Sequence, residues 1–413
     1  MIKYFSKNNL LLGFSVIIKF AALGVSILIA RWQNQYFEPE LLKDFNVTLG
    51  YLAIILGFVN LGIPQIIYKL YTNETDQSKL SDIWTTFFVL RLLSYLLGLI
   101  AIFMTFSLSS INNLFLLVGV YTMQFILLAD QSYRSVLDSR DKSYRFSATD
   151  MIGKVLIVAT LYLVINFFDY EGFEINIFIY TSILVYLLMY VVDTAINYEY
   201  TKFSRFEIKI LKNNVSSLWY LTIPGLFIVT GLDRIFLEYF NIDKFALVGY
   251  SNALRILDAA IIFPSILTPT LASRLKVTTL NATSFQKNRK MSKYLSALLL
   301  IGLLYAGAIG FFAPIIFEIV DPAKLYVNYS LQVIWFFCGY IFLYFFTFFN
   351  QQLNYIKHRE KGEFKLNTIT YFTFIALFIL TIPSYGILGA AFTFFFGILV
   401  NLIIRIIVFK FDI

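Results

Sequence analysis

Long apolar runs separated by short polar stretches dominate the chain. Twelve of these runs are close to the ~20 residues that an α-helix needs to cross a hydrocarbon core of about 30 Å. They cover residues 10–30, 47–68, 83–107, 112–130, 148–168, 175–197, 217–239, 246–270, 294–318, 325–349, 366–383 and 386–408. We expect helices, because each helix satisfies its own backbone hydrogen bonds in lipid and the runs are too long and too continuously apolar for barrel strands.

Lysine and arginine fall unevenly on the two sides that twelve spans define. Of the 33 basic residues, 24 lie on one side, Arg405 among them, 4 lie on the other, and the rest lie within spans. Because cytoplasmic loops carry the excess of Lys and Arg, this pattern predicts that both termini are cytoplasmic. A missed or extra helix would invert every later loop and blur the asymmetry. The net charge of +8 is therefore expected in cytoplasmic loops and is not a nucleic-acid signal.

Composition agrees with an all-α polytopic membrane protein. The chain is 59% hydrophobic and 14% charged, with a mean hydropathy of +0.74. One cysteine, Cys338, allows no disulfide within the chain, and one histidine, His358, lies in a charged loop. A zinc site or a Ser-His-Asp site would have to use that single histidine, so we expect no enzyme and no metal.

The middle of the chain predicts a division into two lobes of six helices. Residues 1–198 form the first lobe in this interpretation, 199–214 a cytoplasmic linker, and 215–413 the second lobe. The linker mixes charges with Phe203, Phe206, Ile208 and Leu211, which favours a short amphipathic helix at the membrane interface.

Several ionisable residues lie inside apolar runs, where charge is costly and indicates a functional role by default. They are Lys19, Arg91, Lys154, Asp233, Arg234, Arg255 and Asp258. Each also has a structural explanation: Arg255 and Asp258, or Asp150 and Lys154, can pair along one helix, and Lys154 and Arg234 can reach the interface. Lys19 has no acidic residue within a turn, so its partner must be another helix or a ligand.

If several of these cations face one cavity, that cavity favours an anionic substrate, with phosphate the obvious group. Lys19, Arg255, Arg91 and Lys154 are the candidates for binding pyrophosphate or sugar. Asp233, Arg234 and Asp258 are the candidates for charge balance, for a gate, or for coupling to H⁺ or Na⁺. The sequence leaves these alternatives open.

Prolines predict bends in the spans, because each removes a helical hydrogen bond. They stand at positions 64, 224, 264, 269 and 314.

Four segments together resemble the polysaccharide-transporter (O-antigen flippase) family, whose superfamily also holds lipid II flippases and multidrug and toxin extruders. They are KFAALGVSILIAR at 19–31, LGIPQIIYKLY at 61–71, QSYRSVLDSRDKSYRFSATDMIGKV at 131–155 and GLDRIFLEYFNIDKFALVGYSNALRI at 231–256. The resemblance covers most of the chain.

The resemblance implies a two-lobed alternating-access carrier in the bacterial inner membrane. Its substrate would be an undecaprenyl-pyrophosphate-linked oligosaccharide, with a polysaccharide polymerase or glycosyltransferase complex as protein partner. In lipid II flippases one basic residue of the first helix and one of the eighth are important, and these correspond most nearly to Lys19 and Arg255. Lipid II flippases usually have two further helices, which this sequence lacks.

Two other functions stay open at this stage. A drug or metabolite exporter of the same fold would favour a cavity dominated by acids, and the first run here offers only Lys19. A membrane polysaccharide polymerase would need a sizeable outer loop with catalytic groups, and the predicted outer loops are short.

Overall fold

A computed structural model describes residues 7–60, 62–106, 113–140, 143–167, 174–214, 231–279, 284–356 and 359–409. Nearly all of these residues are helical. The helices are α1 (Lys7–Tyr36), α2 (Pro39–Asn60), α3 (Ile63–Asn73), α4 (Gln77–Phe106), α5 (Leu114–Ser139), α6 (Ser143–Phe167), α7 (Glu174–Ile196), α8 (Leu232–Tyr239), α9 (Lys244–Thr279), α10 (Ser284–Val320), α11 (Val327–Ile356), α12 (Glu360–Tyr385) and α13 (Ile387–Phe409).

Ten helices in the described part of the chain are long and apolar enough to cross a membrane. They coincide with ten of the twelve predicted runs, and the protein is a multi-pass membrane protein. The first predicted run lies in α1, which has 30 residues but is not one of the ten. Most of the seventh, from 217 to 230, lies outside the described residues.

The second predicted span differs from the structure in its limits. The run at 47–68 is divided, because α2 ends at Asn60 and α3 begins at Ile63. Gly62 between them has φ 61°, a left-handed conformation that glycine adopts without a steric penalty. Pro64 is therefore in the first turn of α3, where its missing N–H costs nothing, and it does not bend a span.

The chain divides into two compact units, Met1–Leu226 and Phe227–Ile413. In the first unit, α5 packs against α3 and α7, and α6 packs against α1 and α7. Aromatic rings of α1, α2 and α7 fill one part of its core: Phe37 contacts Trp32, Phe45 and Phe178 with ring centroids 5.6–6.1 Å apart. Such aromatic pairs stabilise the fold by more than the burial of their apolar area alone.

In the second unit, α11 is the central helix and packs against α9, α10 and α13. Gly249 on α9 allows a close approach to the start of α11. A Cβ atom at this glycine would lie 2.5 Å from Cβ of Tyr329 and 2.9 Å from the carbonyl oxygen of Tyr326. The hydroxyl of Ser330 donates a 2.8 Å hydrogen bond to the Gly249 carbonyl at the same crossing.

The segment predicted as linker packs on the first unit. Its residues 201–207 are not helical, and only 208–214 form a short helix. The Ser204 and Glu207 backbone N–H groups donate to the hydroxyls of Thr85 and Thr86 on α4, at 2.8 and 2.9 Å. The ring of Phe203 packs edge-on against Phe88, with centroids 5.0 Å apart. The amphipathic helix is thus shorter than the sequence suggests, because the side chains of α4 satisfy the preceding backbone.

Candidate functional site

Four of the predicted site residues form one group in the second unit. Asp233 and Arg234 lie in the first turn of α8, and Arg255 and Asp258 lie one turn apart on α9. Arg255 interacts electrostatically with Arg234 and Asp258, and Asp258 with both residues of α8. We call these four residues the charge cluster. Its formal charges balance, with two arginines and two aspartates.

Asp233 is the buried anchor of the charge cluster. Its side chain is fully buried, and its Oδ1 accepts a 2.9 Å hydrogen bond from the Gly231 backbone N–H. Its Oδ2 accepts a 2.7 Å hydrogen bond from the hydroxyl of Tyr250 on α9. A carboxylate at a helix N-terminus is favoured by the positive end of the helix dipole. The same side chain therefore begins α8 and joins it to α9.

The other end of the charge cluster is accessible. Arg255 is partly buried, whereas Asp258 is exposed, although both lie within the apolar span of α9. A carboxylate that faced hydrocarbon would carry a large desolvation cost. The exposed surface around Asp258 is therefore expected to be hydrated, which makes it the part of the second unit best suited to a polar ligand.

Several tyrosines inside the spans form hydrogen bonds within their own units. The Tyr305 hydroxyl donates to the carbonyl of Ala260 at 3.1 Å, and the Tyr121 hydroxyl to that of Tyr95 at 3.0 Å. Tyr340 on α11 differs, because it is only partly buried and interacts with Asp258. Tyr340 is therefore a candidate to face a ligand near Asp258.

The predicted basic residues of the first unit lie in three different environments. Arg91 on α4 is buried, and its guanidinium donates to Asn60 Oδ1 at 3.2 and 3.3 Å and to the Ser132 hydroxyl at 3.3 Å. Lys154 on α6 forms a partly exposed ion pair with Asp150 at 3.0 Å. Lys19 falls in α1, and its side chain lies outside what the structure describes. A binding role for each of the three stays a prediction.

Asp130 of α5 and Asp193 of α7 form a second acidic group, which the sequence did not indicate. The two carboxylates interact directly, and Asp193 is 1% exposed. Asp193 Oδ2 accepts a 3.1 Å hydrogen bond from the Thr149 hydroxyl, while Oδ1 of each aspartate is buried with no hydrogen-bond donor among the described residues. Each aspartate lies near one end of an apolar run, where a charge can reach the interface, so neither attracted notice.

A buried ion pair between α12 and α13 was also missed. Both oxygens of Glu363 accept hydrogen bonds of 2.6 Å from Nη1 of Arg405. Arg405 also donates to Asn401 at 2.6 Å and Asn367 at 3.2 Å, and Glu363 accepts from Asn354 of α11 at 2.6 Å. The sequence count placed Arg405 in a cytoplasmic loop, whereas it is 1% exposed within α13. This network joins three helices and leaves no open position for a ligand among its named groups.

No described group of three or more His, Cys, Asp or Glu side chains could hold a metal ion. The charge cluster itself consists of paired charges and hydrogen-bonding groups. Such groups can bind and release a charged or polar molecule.

The described helices and the charge cluster define a multi-pass helical membrane protein with buried and accessible charges inside a span. No family model matches the sequence, and no curated protein matches it. Solved structures match over nearly the whole chain. "Lipid II flippase MurJ, inward closed conformation" has a TM-score of 0.71 at 16% identity and covers 96% of this chain and 87% of that one.

Two other solved structures show the same fold. A MOP superfamily transporter from Pyrococcus furiosus Vc1, described as having reversed polarity of its binding pocket, has a TM-score of 0.70 at 13% identity, covering 97% of this chain and 95% of that one. A multidrug resistance MATE family transporter in an outward-facing conformation has a TM-score of 0.69 at 13% identity, covering 97% and 94%. At these identities the likeness concerns the fold.

Proposed function

We propose that this protein is a flippase that moves an undecaprenyl-pyrophosphate-linked oligosaccharide, such as the repeat unit of O-antigen or of another surface polysaccharide, across the bacterial inner membrane. The observation that carries the proposal is the partly buried Arg255 next to the exposed Asp258, in the middle of an apolar span. The similarity in fold to a lipid II flippase supports a lipid-linked substrate.

Each part of such a substrate has a counterpart in the protein. Arg255 supplies a guanidinium that can bind a phosphate oxygen through two N–H groups. Lys19 stays a predicted second cation for such a substrate. Asp258 supplies an acceptor for sugar hydroxyls, and Tyr340 supplies an aromatic ring that can pack against the face of a sugar. The lipid tail stays in the bilayer while alternating access moves the head group.

Arg234 and Asp233 have a positioning role in this proposal. Asp233 is fixed by Gly231 and Tyr250, and Arg234 is 8% exposed. Both interact with Asp258 and so tune the charge near the substrate. Coupling of transport to H⁺ or Na⁺ would place the titrating or ligating group at Asp258, the exposed carboxylate of the charge cluster.

A drug or metabolite exporter of the same fold is the second candidate. The balanced charge of the cluster and the similarity to a multidrug resistance transporter favour it. An exporter of cationic drugs would depend on Asp258 and tolerate loss of Arg255, whereas the flippase would depend on Arg255.

The test is reconstitution of the purified full chain in vesicles with a fluorescent undecaprenyl-pyrophosphate-linked oligosaccharide, scored by accessibility of the sugar to a membrane-impermeant reagent. We expect Arg255→Ala and Lys19→Ala to reduce flipping at least tenfold, and Lys361→Ala, an exposed lysine at the start of α12, to flip like the wild type. Wild-type rates in both of these variants would refute the flippase. Export of a cationic dye that depends on Asp258 and not on Arg255 would establish the exporter instead.

A further inference from the structure

A surface groove lies on α10, outside the charge cluster. It has a volume of about 450 Å³ and is lined by Asn288, Met291, Ser292, Leu295, Ser296 and Leu299 of α10 and by Phe346 of α11. The α10 positions are three or four residues apart, so they share one helix face. The volume is in the range of pockets that bind small molecules. We call it the α10 groove.

The groove has a clear origin in the packing of α10 on α11. A Cβ atom on Gly302 would lie 3.2 Å from the ring of Phe342, and one on Gly310 would lie 2.6 Å from the ring of Trp335. These glycines allow close contact along the second half of α10. From Ser284 to Ile301 the helix has no glycine, and the groove occupies this stretch. Phe346 forms its wall and is held edge-on against Phe342, with ring centroids 5.4 Å apart.

The position of the groove along the helix brings it to the membrane surface. α10 has 37 residues and is about 55 Å long, well beyond a hydrocarbon core of about 30 Å. Its first ten residues contain Lys287, Arg289, Lys290 and Lys293 and no acidic residue. This basic end belongs at the level of the lipid head groups, and the apolar residues Leu295 and Leu299 belong at the level of the acyl chains.

The four basic residues of α10 differ in the direction in which they project relative to the groove. Lys287 and Arg289 are the neighbours of Asn288 in sequence, so they project to the two sides of the groove mouth. Lys290 projects toward the opposite side of the helix, whereas Lys293 lies only about 40° around the helix from Arg289. Arg289 is exposed and Lys287 is partly exposed. An anionic group at the mouth would therefore have two cations within reach and three polar side chains, Asn288, Ser292 and Ser296, beside it.

We propose that the α10 groove binds one anionic phospholipid of the surrounding leaflet, with its phosphate between Lys287 and Arg289 and an acyl chain against Leu295, Leu299 and Phe346. The charge of the mouth complements the head group, and the apolar lining complements the chain. A cation near an anionic lipid surface contributes roughly fivefold in affinity. The inference does not depend on the proposed function, because binding is measured without any transported substrate.

The test is native mass spectrometry of the purified full chain in detergent, titrated with phosphatidylglycerol and, in parallel, with phosphatidylcholine. We expect the wild type to bind one phosphatidylglycerol at least tenfold more tightly than phosphatidylcholine. The double variant Lys287→Gln/Arg289→Gln should bind phosphatidylglycerol about 30-fold more weakly. Leu299→Trp, which fills the groove, should lose the bound lipid.

Two matched controls keep the result specific. Lys209→Gln/Lys361→Gln removes the same charge from two exposed lysines outside α10, and Leu304→Trp places the same ring on an exposed leucine outside the groove. Both should bind as the wild type does. Equal loss in the control and groove variants, equal affinity for the two lipids, or unchanged binding in Leu299→Trp would each overturn the proposal. So would displacement of phosphatidylglycerol by undecaprenyl phosphate, which would make the groove a site for the transported lipid.

Discussion

The hydroxyl of Tyr250 donates a 2.7 Å hydrogen bond to the carboxylate of Asp233, and both side chains are fully buried. The bond joins the first turn of α8 to α9, on which Arg255 and Asp258 lie one to two turns further along. By fixing α9 against α8, it sets the position of Arg255 and Asp258. Because the acceptor is charged and its surroundings are apolar, removing this hydrogen bond is expected to cost more free energy than removing an ordinary one.

Removing the Tyr250 hydroxyl should weaken the second unit. Tyr250→Phe leaves Asp233 with the Gly231 N–H as its described donor, at a cost of about 1–3 kcal/mol for a buried hydrogen bond to a charge. The measurement is the melting temperature of the detergent-solubilised protein. Tyr239→Phe is the control, because Tyr239 is 74% exposed on α8. Equal melting temperatures for both variants would contradict a stabilising role of the bond.

The glycine at the α9–α11 crossing should not tolerate a methyl group. Gly249→Ala puts Cβ within 2.5 Å of Cβ of Tyr329, so the helices must separate, and overpacking of this kind costs about 1–3 kcal/mol. Gly307→Ala on α10 is the matched control, since nothing lies within 4 Å of its Cβ position and alanine favours a helix by about 0.5–1 kcal/mol. We expect the first to lower the melting temperature and the second to raise it slightly. The reverse order would show that the crossing is looser than described.

The buried ion pair should depend on both of its partners. Glu363→Gln leaves the guanidinium of Arg405 buried without its anion, which typically costs about 3–5 kcal/mol. Replacing both residues, as in Glu363→Leu/Arg405→Met, removes the unpaired charge and should recover much of the loss. Thermal denaturation of the two variants checks this. A double variant less stable than the single one would mean that the asparagines around the pair, not the charge, set the cost.

The two adjacent aspartates of the first unit should destabilise it when both are ionised. Asp130→Asn removes one charge from the pair and lets an amide donate to Asp193. The melting temperature at pH 8 should therefore rise, by about 2–4 °C for each kcal/mol added to the free energy of unfolding. Glu318→Gln, an exposed carboxylate beside Lys324, should change it little. A fall in the Asp130→Asn melting temperature would mean that a cation bound by both carboxylates stabilises the wild type.

Sequence reasoning succeeded where the physics is local. Ten of the predicted spans are helices of spanning length, because the cost of exposing a polar backbone to lipid depends on the chain's own apolar run. It failed at Gly62, where a left-handed residue before α3 divides an apolar run without any change in hydropathy. The spacing of Arg255 and Asp258 on one helix was readable, because three residues are one turn.

Which charges meet was decided by tertiary structure. Three pairs of side chains meet because their helices pack with a particular rotation about their axes, and hydropathy does not indicate that rotation. The pairs are Asp233 with Tyr250, Asp130 with Asp193 and Glu363 with Arg405. The sequence by itself determined that this is a multi-helix membrane protein with costly charges in its spans. Only the packing of the helices decided that Arg405 and Arg91 are enclosed by partners while Asp258 stays accessible, since burial depends on the neighbours each helix face acquires.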